Sequence, residues 1–448
     1  MTTATYPAVR FEADVVLTCD DAMTVHAPGA VEVVDGRISH VGSGSAPGLR
    51  SEGPEGLEMK VHRLGGLLMP GLVNAHAHTP MTLVRGAGDG LPLQRWLTEA
   101  MWPREGRMTS EDVWWGMALG SAEMLMAGVT TSCEMYLFED AVADAVAATG
   151  GRLVMTPGVL SVLHGEAFGS DGDRLDALAA FHEIHHDPAG RLTVGIAPHS
   201  AYDLGVQTVA RLADLARSLD AVLHIHVAET RDESAALEAE HGQSIVQILA
   251  DHDVLGGRVL FAHAVWTDGD DIATMAAAGV AVAHCPVSNM KLGSGIAPLA
   301  QMLEAGVTVG LGTDGPASND TLDLWEEVKV APLLARVDAL DPTVLTAEQV
   351  LAMATSGGAS AVGLDDVGRL EVGAAADFIR IDLDRPSFTP VTEPAELLAH
   401  LVWTGTDRSV TDVWVAGQRV VEAGVVQTLD VDRARAEVQE RAVRLATG

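Results

Sequence analysis

Cysteine is scarce. Cys19, Cys133 and Cys285 are the only three in 448 residues, too few and too scattered for a disulfide framework, and they suit a reducing cytoplasm. Lysine is as rare, with Lys60, Lys291 and Lys329 the whole complement. Lys and Arg total 28 against 62 Asp and Glu, so the net charge is 28 − 62 = −34. Such a chain repels phosphate backbones and anionic lipid, and no nucleic-acid or membrane partner is expected. The acid surplus reads as solvated surface and carries no substrate inference. No apolar run approaches the ~18–20 residues of a membrane span. The opening MTTATYPAVRFEAD lacks the basic start and apolar stretch of a secretory signal, so a cytoplasmic location is expected.

What is present is apolar material. Hydrophobic residues make up 48% of the chain, enough for a large core and against disorder. The length suits a barrel plus an accessory domain.

Short β segments with turn signals fill both ends of the chain, including an Asp35-Gly36 hairpin signal. The middle differs. Eight Val/Leu/Ala-rich runs alternate with helical stretches: 69–78, 128–136, 152–159, 192–199, 221–229, 258–265, 279–286 and 306–314. Continuous apolar runs are what strands buried on both faces require. The expected class is α/β: a (β/α)8 TIM barrel over 68–366, with a small β-sandwich domain composed of 1–67 and 367–448. Chemistry in such a barrel belongs at the C-terminal ends of its strands.

Those ends carry the polar residues. The first run closes in His76-Ala77-His78 and the fourth in His199. The fifth holds His224, His226 and Glu229, the sixth His263, and the eighth closes in Thr313-Asp314. Alternation along a strand points His76 and His78 to the same side. Imidazoles and a carboxylate gathered from several strands, without thiolate, suit one Zn²⁺, with Fe²⁺ the alternative, and leave a position open for water. His224 is left as either a ligand or a support to one. His182, His185 and His186 read as surface, Cys285 as packing, and His164 as a weaker candidate for substrate contact.

PGLVNAHAH, the His226…Glu229 strand end, FAHAV and LGTDGPASN resemble the amidohydrolase superfamily. HTPMTLVRGAGDGLPLQRWL, APHSAY, CPVSNMKLGSGIAPL and LGTDGPASND are similar to its S-adenosylhomocysteine, methylthioadenosine and adenosine deaminases, neighbours of the triazine chlorohydrolases. The resemblance implies a mononuclear site, because APHS stands where binuclear members carry a bridging lysine. It makes His76, His78 and His226 ligands, and Asp314 a weaker ligand and proton shuttle. His263 would orient water, and Glu229 would protonate the ring nitrogen beside the attacked carbon. For the substrate it implies Glu105 on the ribose hydroxyls, Trp96 against the nucleoside, His199 and Ser318 on purine nitrogens, and Arg174 at the 5′ substituent. Pro157 departs from the homocysteine-specific members, which carry a second arginine there. The expected reaction converts a 6-aminopurine nucleoside, a small-molecule substrate, into the inosine analogue and ammonia. The alternative is removal of chloride or an amine from a triazine or pyrimidine. Barrels of this kind commonly associate, so a homo-oligomer is an open expectation.

Overall fold

The computed structural model describes residues 8–44, 59–161, 171–404 and 409–447. The apolar runs of the middle form eight parallel strands. These are β1 (Leu72–Ala77), β2 (Val129–Tyr136), β3 (Arg152–Val159) and a broken β4 (Leu192–Val194, resuming at Ala197–Pro198). They continue with β5 (Leu223–Val227), β6 (Val259–His263), β7 (Ala281–His284) and β8 (Thr308–Leu311). Every residue of β2 and β3 is buried, as strands covered on both faces should be. The break in β4 needs glycine: a Cβ at Gly195 would sit 2.7 Å from the Val222 carbonyl oxygen and 2.8 Å from Thr156 Cγ2.

The strands pair as two arcs, β1 to β4 and β5 to β8. Bridges Ile196–Leu223 and Ser200–His226 join β4 to β5, and Ala77–Asp314 joins the last strand end to the first. The closing seam is reinforced by side chains. Asn74 Nδ2 donates to Thr313 Oγ1 at 2.7 Å, and Thr313 N donates to Asn74 Oδ1 at 3.0 Å. A buried amide thus supplements the backbone bond from Asp314 N to the His76 carbonyl at 3.0 Å. Helices cover the outside, giving the expected (β/α)8 architecture.

Two further sheets form the small β domain. One contains Val9–Ala13, Gly29–Val34, Arg37–Ser43 and Lys60–Arg63. The other mixes the chain ends, with Val15–Leu17, Val25–His26 and Leu67–Pro70 beside Phe378–Ile381, Val410–Val415, Gln418–Glu422 and Val425–Val426. Between the sheets, Phe11 meets Phe378 and Trp414 edge-on at 5.1 and 5.2 Å between ring centres. Asp35 and Gly36 both have positive φ, +50° and +76°, as the hairpin signal requires.

The 69–78 run divides in two. Leu67–Pro70 belongs to the mixed sheet, and the chain enters the barrel at Gly71, beyond the expected 67/68 division. Both pieces are fully buried, so one apolar run conceals the crossing. The last helix, Val431–Thr447, leaves the β domain and packs on the barrel helix Ser110–Met126. Arg441 and Arg444 reach the buried Asp112 at its start, at 3.2 and 2.5 Å. Among the described residues no helix is long and apolar enough to cross a membrane.

Candidate active site

Backbone geometry at the strand ends turns the polar side chains into the barrel mouth. His263, which closes β6, has φ +75°, and Asp314, just past β8, has φ +60°. Ala228, which precedes Glu229, has φ +51°. Left-handed backbone at residues other than glycine is costly and gathers where a site fixes its side chains.

Hydrogen bonds behind the rim settle which nitrogens face the cavity. His78 Nδ1 donates to the Met135 carbonyl at 2.6 Å, and His226 Nδ1 donates to the His199 carbonyl at 2.8 Å. A neutral imidazole carries one proton, so both Nε2 atoms are bare lone pairs. They lie 3.2 Å apart. Asp314 Oδ1 is 3.3 Å from His78 Nε2 and 3.5 Å from His76 Nε2, a buried atom with no hydrogen-bond partner. Acceptors therefore face acceptors with no hydrogen between them. Among the described residues the potential ligand atoms of His76, His78 and Asp314, and those of His76, His226 and His263, each fall within 4.8 Å of one another, a spacing that suits a shared cation. Burial lowers the pKa of His76 and holds that of His226 well below the usual range, so both stay neutral. Burial would raise Asp314, but the polar groups facing its carboxyl hold it well below the carboxylate range. Ser288 Oγ donates to its Oδ2 at 2.6 Å, and Gly315 N to its Oδ1 at 2.8 Å.

Two neighbours differ. Asn289 Nδ2 lies 3.0 Å from His263 Nδ1 and donates to it, which places the His263 proton on Nε2, 3.9 Å from Glu229 Oε2. Burial pushes His263 down to about 3, so this neutral ring offers the cavity a hydrogen. Glu229 does the same for another reason. Burial, with Asp314 and Glu233 nearby, raises its carboxyl well above the usual range, which favours the protonated form that donates a hydrogen.

His78, His226, Glu229, His263 and Asp314 line a cavity of about 670 Å³ together with Trp96, Glu105, His199 and Ser318. Glu105 is buried, burial raises its pKa, and Tyr136 Oη donates to its Oε1 at 2.9 Å. Trp96 is held by a bond from its indole nitrogen to the Ala87 carbonyl at 3.3 Å. His199 Nδ1 sits 3.4 Å from Asp203, and Ser318 Oγ donates to the Gly315 carbonyl at 3.1 Å. Arg174 is outside this lining. It pairs with Glu139 at 3.2 Å and donates to the Gly158 carbonyl at 3.3 Å.

His224 is not at the mouth: its Nε2 meets His76 Nδ1 from behind at 2.8 Å. His164 lies outside the described residues. The surface reading of His182, His185 and His186 needs correction. All three are half-buried, His182 and His186 stack at 4.3 Å, and His186 Nδ1 accepts from Val194 N at 3.0 Å. His186 ties the end of the preceding helix to β4. Sequence reasoning missed Tyr136, Ser288 and Asn289. Tyr136 ends β2, so the strand-end rule that found the histidines would also have found it.

Known proteins resemble this chain over nearly its whole length. The model of the amidohydrolase family matches residues 67–420. A 5-methylthioadenosine/S-adenosylhomocysteine deaminase of Pelotomaculum thermopropionicum is 40% identical, covering 96% of this chain and 97% of that protein. A 5′-deoxyadenosine deaminase of Methanosarcina mazei is 37% identical, covering 96% of each. Among solved structures, an adenosine deaminase from Xanthomonas campestris with bound zinc superposes with a TM-score of 0.91 at 32% identity, covering 98% of this chain and 99% of that one. A zinc-complexed atrazine chlorohydrolase from Arthrobacter aurescens gives 0.86 at 25% identity, covering 97% and 100%.

Proposed function

The chain belongs to the amidohydrolase family, and from that premise we propose that it is a metal-dependent hydrolytic deaminase of 6-aminopurine nucleosides, working on a small-molecule substrate in the cytoplasm. The observation that carries the reading is the set of bare acceptors: Nε2 of His78 and His226 at 3.2 Å, with Asp314 Oδ1 3.3 Å from the former. His76, His78, His226 and Asp314 would hold one divalent cation, Zn²⁺ before Fe²⁺ on the zinc in similar structures. Such a cation is a Lewis acid that lowers the pKa of water from about 15.7 toward about 7.

The chain's own residues supply the rest. Asp314, anionic at neutral pH, takes a proton from the attacking water and passes it to the departing amine. His263 Nε2–H points the water oxygen at the carbon bearing the amino group and donates to the oxygen as charge develops on it. Glu229 arrives protonated and delivers hydrogen to the adjacent ring nitrogen, which would otherwise carry the displaced electron pair. Water's two hydrogens end, in the net reaction, on ammonia and on the ring nitrogen. Glu105, steadied by Tyr136, would accept hydrogens from the ribose hydroxyls.

Zinc-loaded protein mixed with adenosine, methylthioadenosine and S-adenosylhomocysteine should release ammonia with a blue shift of the purine absorbance. No turnover of any 6-aminopurine nucleoside would sink the proposal. Chloride release from a chlorotriazine in the same screen would favour the alternative, which has no use for a diol reader at Glu105.

A further inference from the structure

Behind the rim, a line of fully buried polar groups runs from His76 to the second barrel strand: His76, His224, Thr156 and Glu134 are each 0% exposed. The position of every proton along it follows from its far end. Thr156 Oγ1 lies 2.8 Å from the Glu134 carbonyl oxygen. A carbonyl only accepts, so the hydroxyl hydrogen points there. The same Oγ1 lies 3.0 Å from His224 Nδ1 and, its hydrogen already used, can only accept; His224 therefore carries its proton on Nδ1. The bonds seen to His224 go to His76, Thr156 and, weakly, Cys133 Sγ, none of them a carboxylate, so the buried ring is neutral. Its Nε2 is then bare and accepts from His76 Nδ1 at 2.8 Å. That leaves His76 Nε2 without a proton. It is the buried atom at the mouth that has no partner.

We propose that the Glu134 carbonyl, through Thr156 and His224, locks His76 in the tautomer that presents a lone pair to a cation. Neither Thr156 nor His224 reaches the cavity, so both are positioning residues. The inference rests on reading His76 as a metal ligand, but its proton assignment does not. In the opposite tautomer His76 would aim an N–H at the cation and lose that bond altogether.

The test compares the wild type with His224→Leu, His224→Gln, Thr156→Val and Thr156→Ser. Zn²⁺ affinity is read by chelator competition and ligand geometry by the visible spectrum of the Co²⁺-loaded protein. His224→Leu should weaken Zn²⁺ binding about 10–100-fold, the range for lost partners of metal-bound histidines, and change the Co²⁺ bands. His224→Gln returns an acceptor oxygen near the position of Nε2 and should recover most of the loss. Thr156→Val should weaken binding in the same direction, and Thr156→Ser should restore it. This second pair decides the matter if His224→Leu does not fold. Wild-type affinity and spectrum in folded His224→Leu, or in Thr156→Val, would overturn the proposal. Imidazole ¹⁵N resonances of the metal-free wild type separate the two readings. A His76 proton on Nδ1 supports the relay even if no metal binds, and a proton on Nε2 refutes it even if one does.

Discussion

Asn289 aims its amide at His263 Nδ1 from 3.0 Å, and that single bond decides what His263 can offer the substrate. With Nδ1 accepting, the proton sits on Nε2, on the side of Glu229. Asn289→Leu keeps the volume and removes the donor, so the ring is free to take the other tautomer. Its kcat should fall roughly 10²-fold or more, with KM and metal content nearly unchanged. Full turnover in this variant would show that the tautomer of His263 does not matter.

Asp314 accepts from Ser288 and from Gly315 N, which holds the carboxylate in place but provides no proton sink of its own. Asp314→Asn preserves shape and cannot take a proton from water. We expect kcat to drop by roughly 10³-fold or more, while metal content falls only partly because three imidazoles remain. Steady-state rates and metal analysis on the same sample check this. Turnover within tenfold of wild type would remove Asp314 from the proton path.

Glu105 and Tyr136 act together at the other end of the cavity. A carboxylate taking hydroxyl hydrogens contributes roughly 1.5–3 kcal/mol per charged hydrogen bond. Glu105→Gln should therefore raise KM for nucleosides by about tenfold or more and leave free adenine, if it reacts, nearly unaffected. Tyr136→Phe loosens the 2.9 Å bond that orients Glu105 and should shift KM in the same direction by less. Equal losses for nucleoside and free base would argue against ribose recognition.

Why the histidines were legible and their supports were not has a physical basis. In an apolar strand buried on both faces, a polar residue at the C-terminal end stands out, and barrel geometry brings all such ends to one mouth. His76, His78, His226, His263 and Asp314 were visible for that reason. Asn289 and Ser288 sit on the short helix Pro286–Lys291 after β7 and reach His263 and Asp314 across 26 residues of chain. No local pattern announces such a pairing. Thr156 reads as an ordinary β-former within β3, and its role depends on His224 in a strand that it does not adjoin in sequence. Arg174 fails in the opposite sense: its charge was legible, but its pairing with Glu139 was not.

Glu233 should make the protein's stability depend on pH. Its Oε2 accepts from Glu229 N at 3.1 Å and from Thr230 N at 3.5 Å, and burial raises its pKa from 4.5 to about 7. A carboxyl raised by folding binds its proton more tightly in the native state than in the unfolded chain. Its penalty is absent below about pH 4.5, grows as pH rises toward about 7, and is constant above that. Glu233→Gln keeps an acceptor and loses the charge. Its melting temperature relative to wild type should rise between pH 4 and pH 8. The same substitution relieves the repulsion that helps to raise Glu229, so the alkaline limb of kcat/KM should move to lower pH. A melting difference independent of pH would contradict this account.

Substrate choice should turn on the absence of Lys and Arg from the described cavity lining. Leu93, Leu97, Trp102, Leu137, Leu160 and Leu292 line the cavity, and no Lys or Arg does so among the described residues. Arg174 is occupied by Glu139 and the Gly158 carbonyl, and Pro157 brings no charge. The zwitterionic homocysteine tail would bring a carboxylate that loses water without gaining a cationic side chain from this lining, which costs more than any apolar contact returns. Methylthioadenosine and 5′-deoxyadenosine should therefore exceed S-adenosylhomocysteine in kcat/KM, by about tenfold or more. Glu139→Gln removes the charge that neutralises Arg174 and should narrow that gap by improving S-adenosylhomocysteine alone. If the wild type prefers S-adenosylhomocysteine, its carboxylate finds a cation that this lining does not contain, and the apolar account of the 5′ end fails.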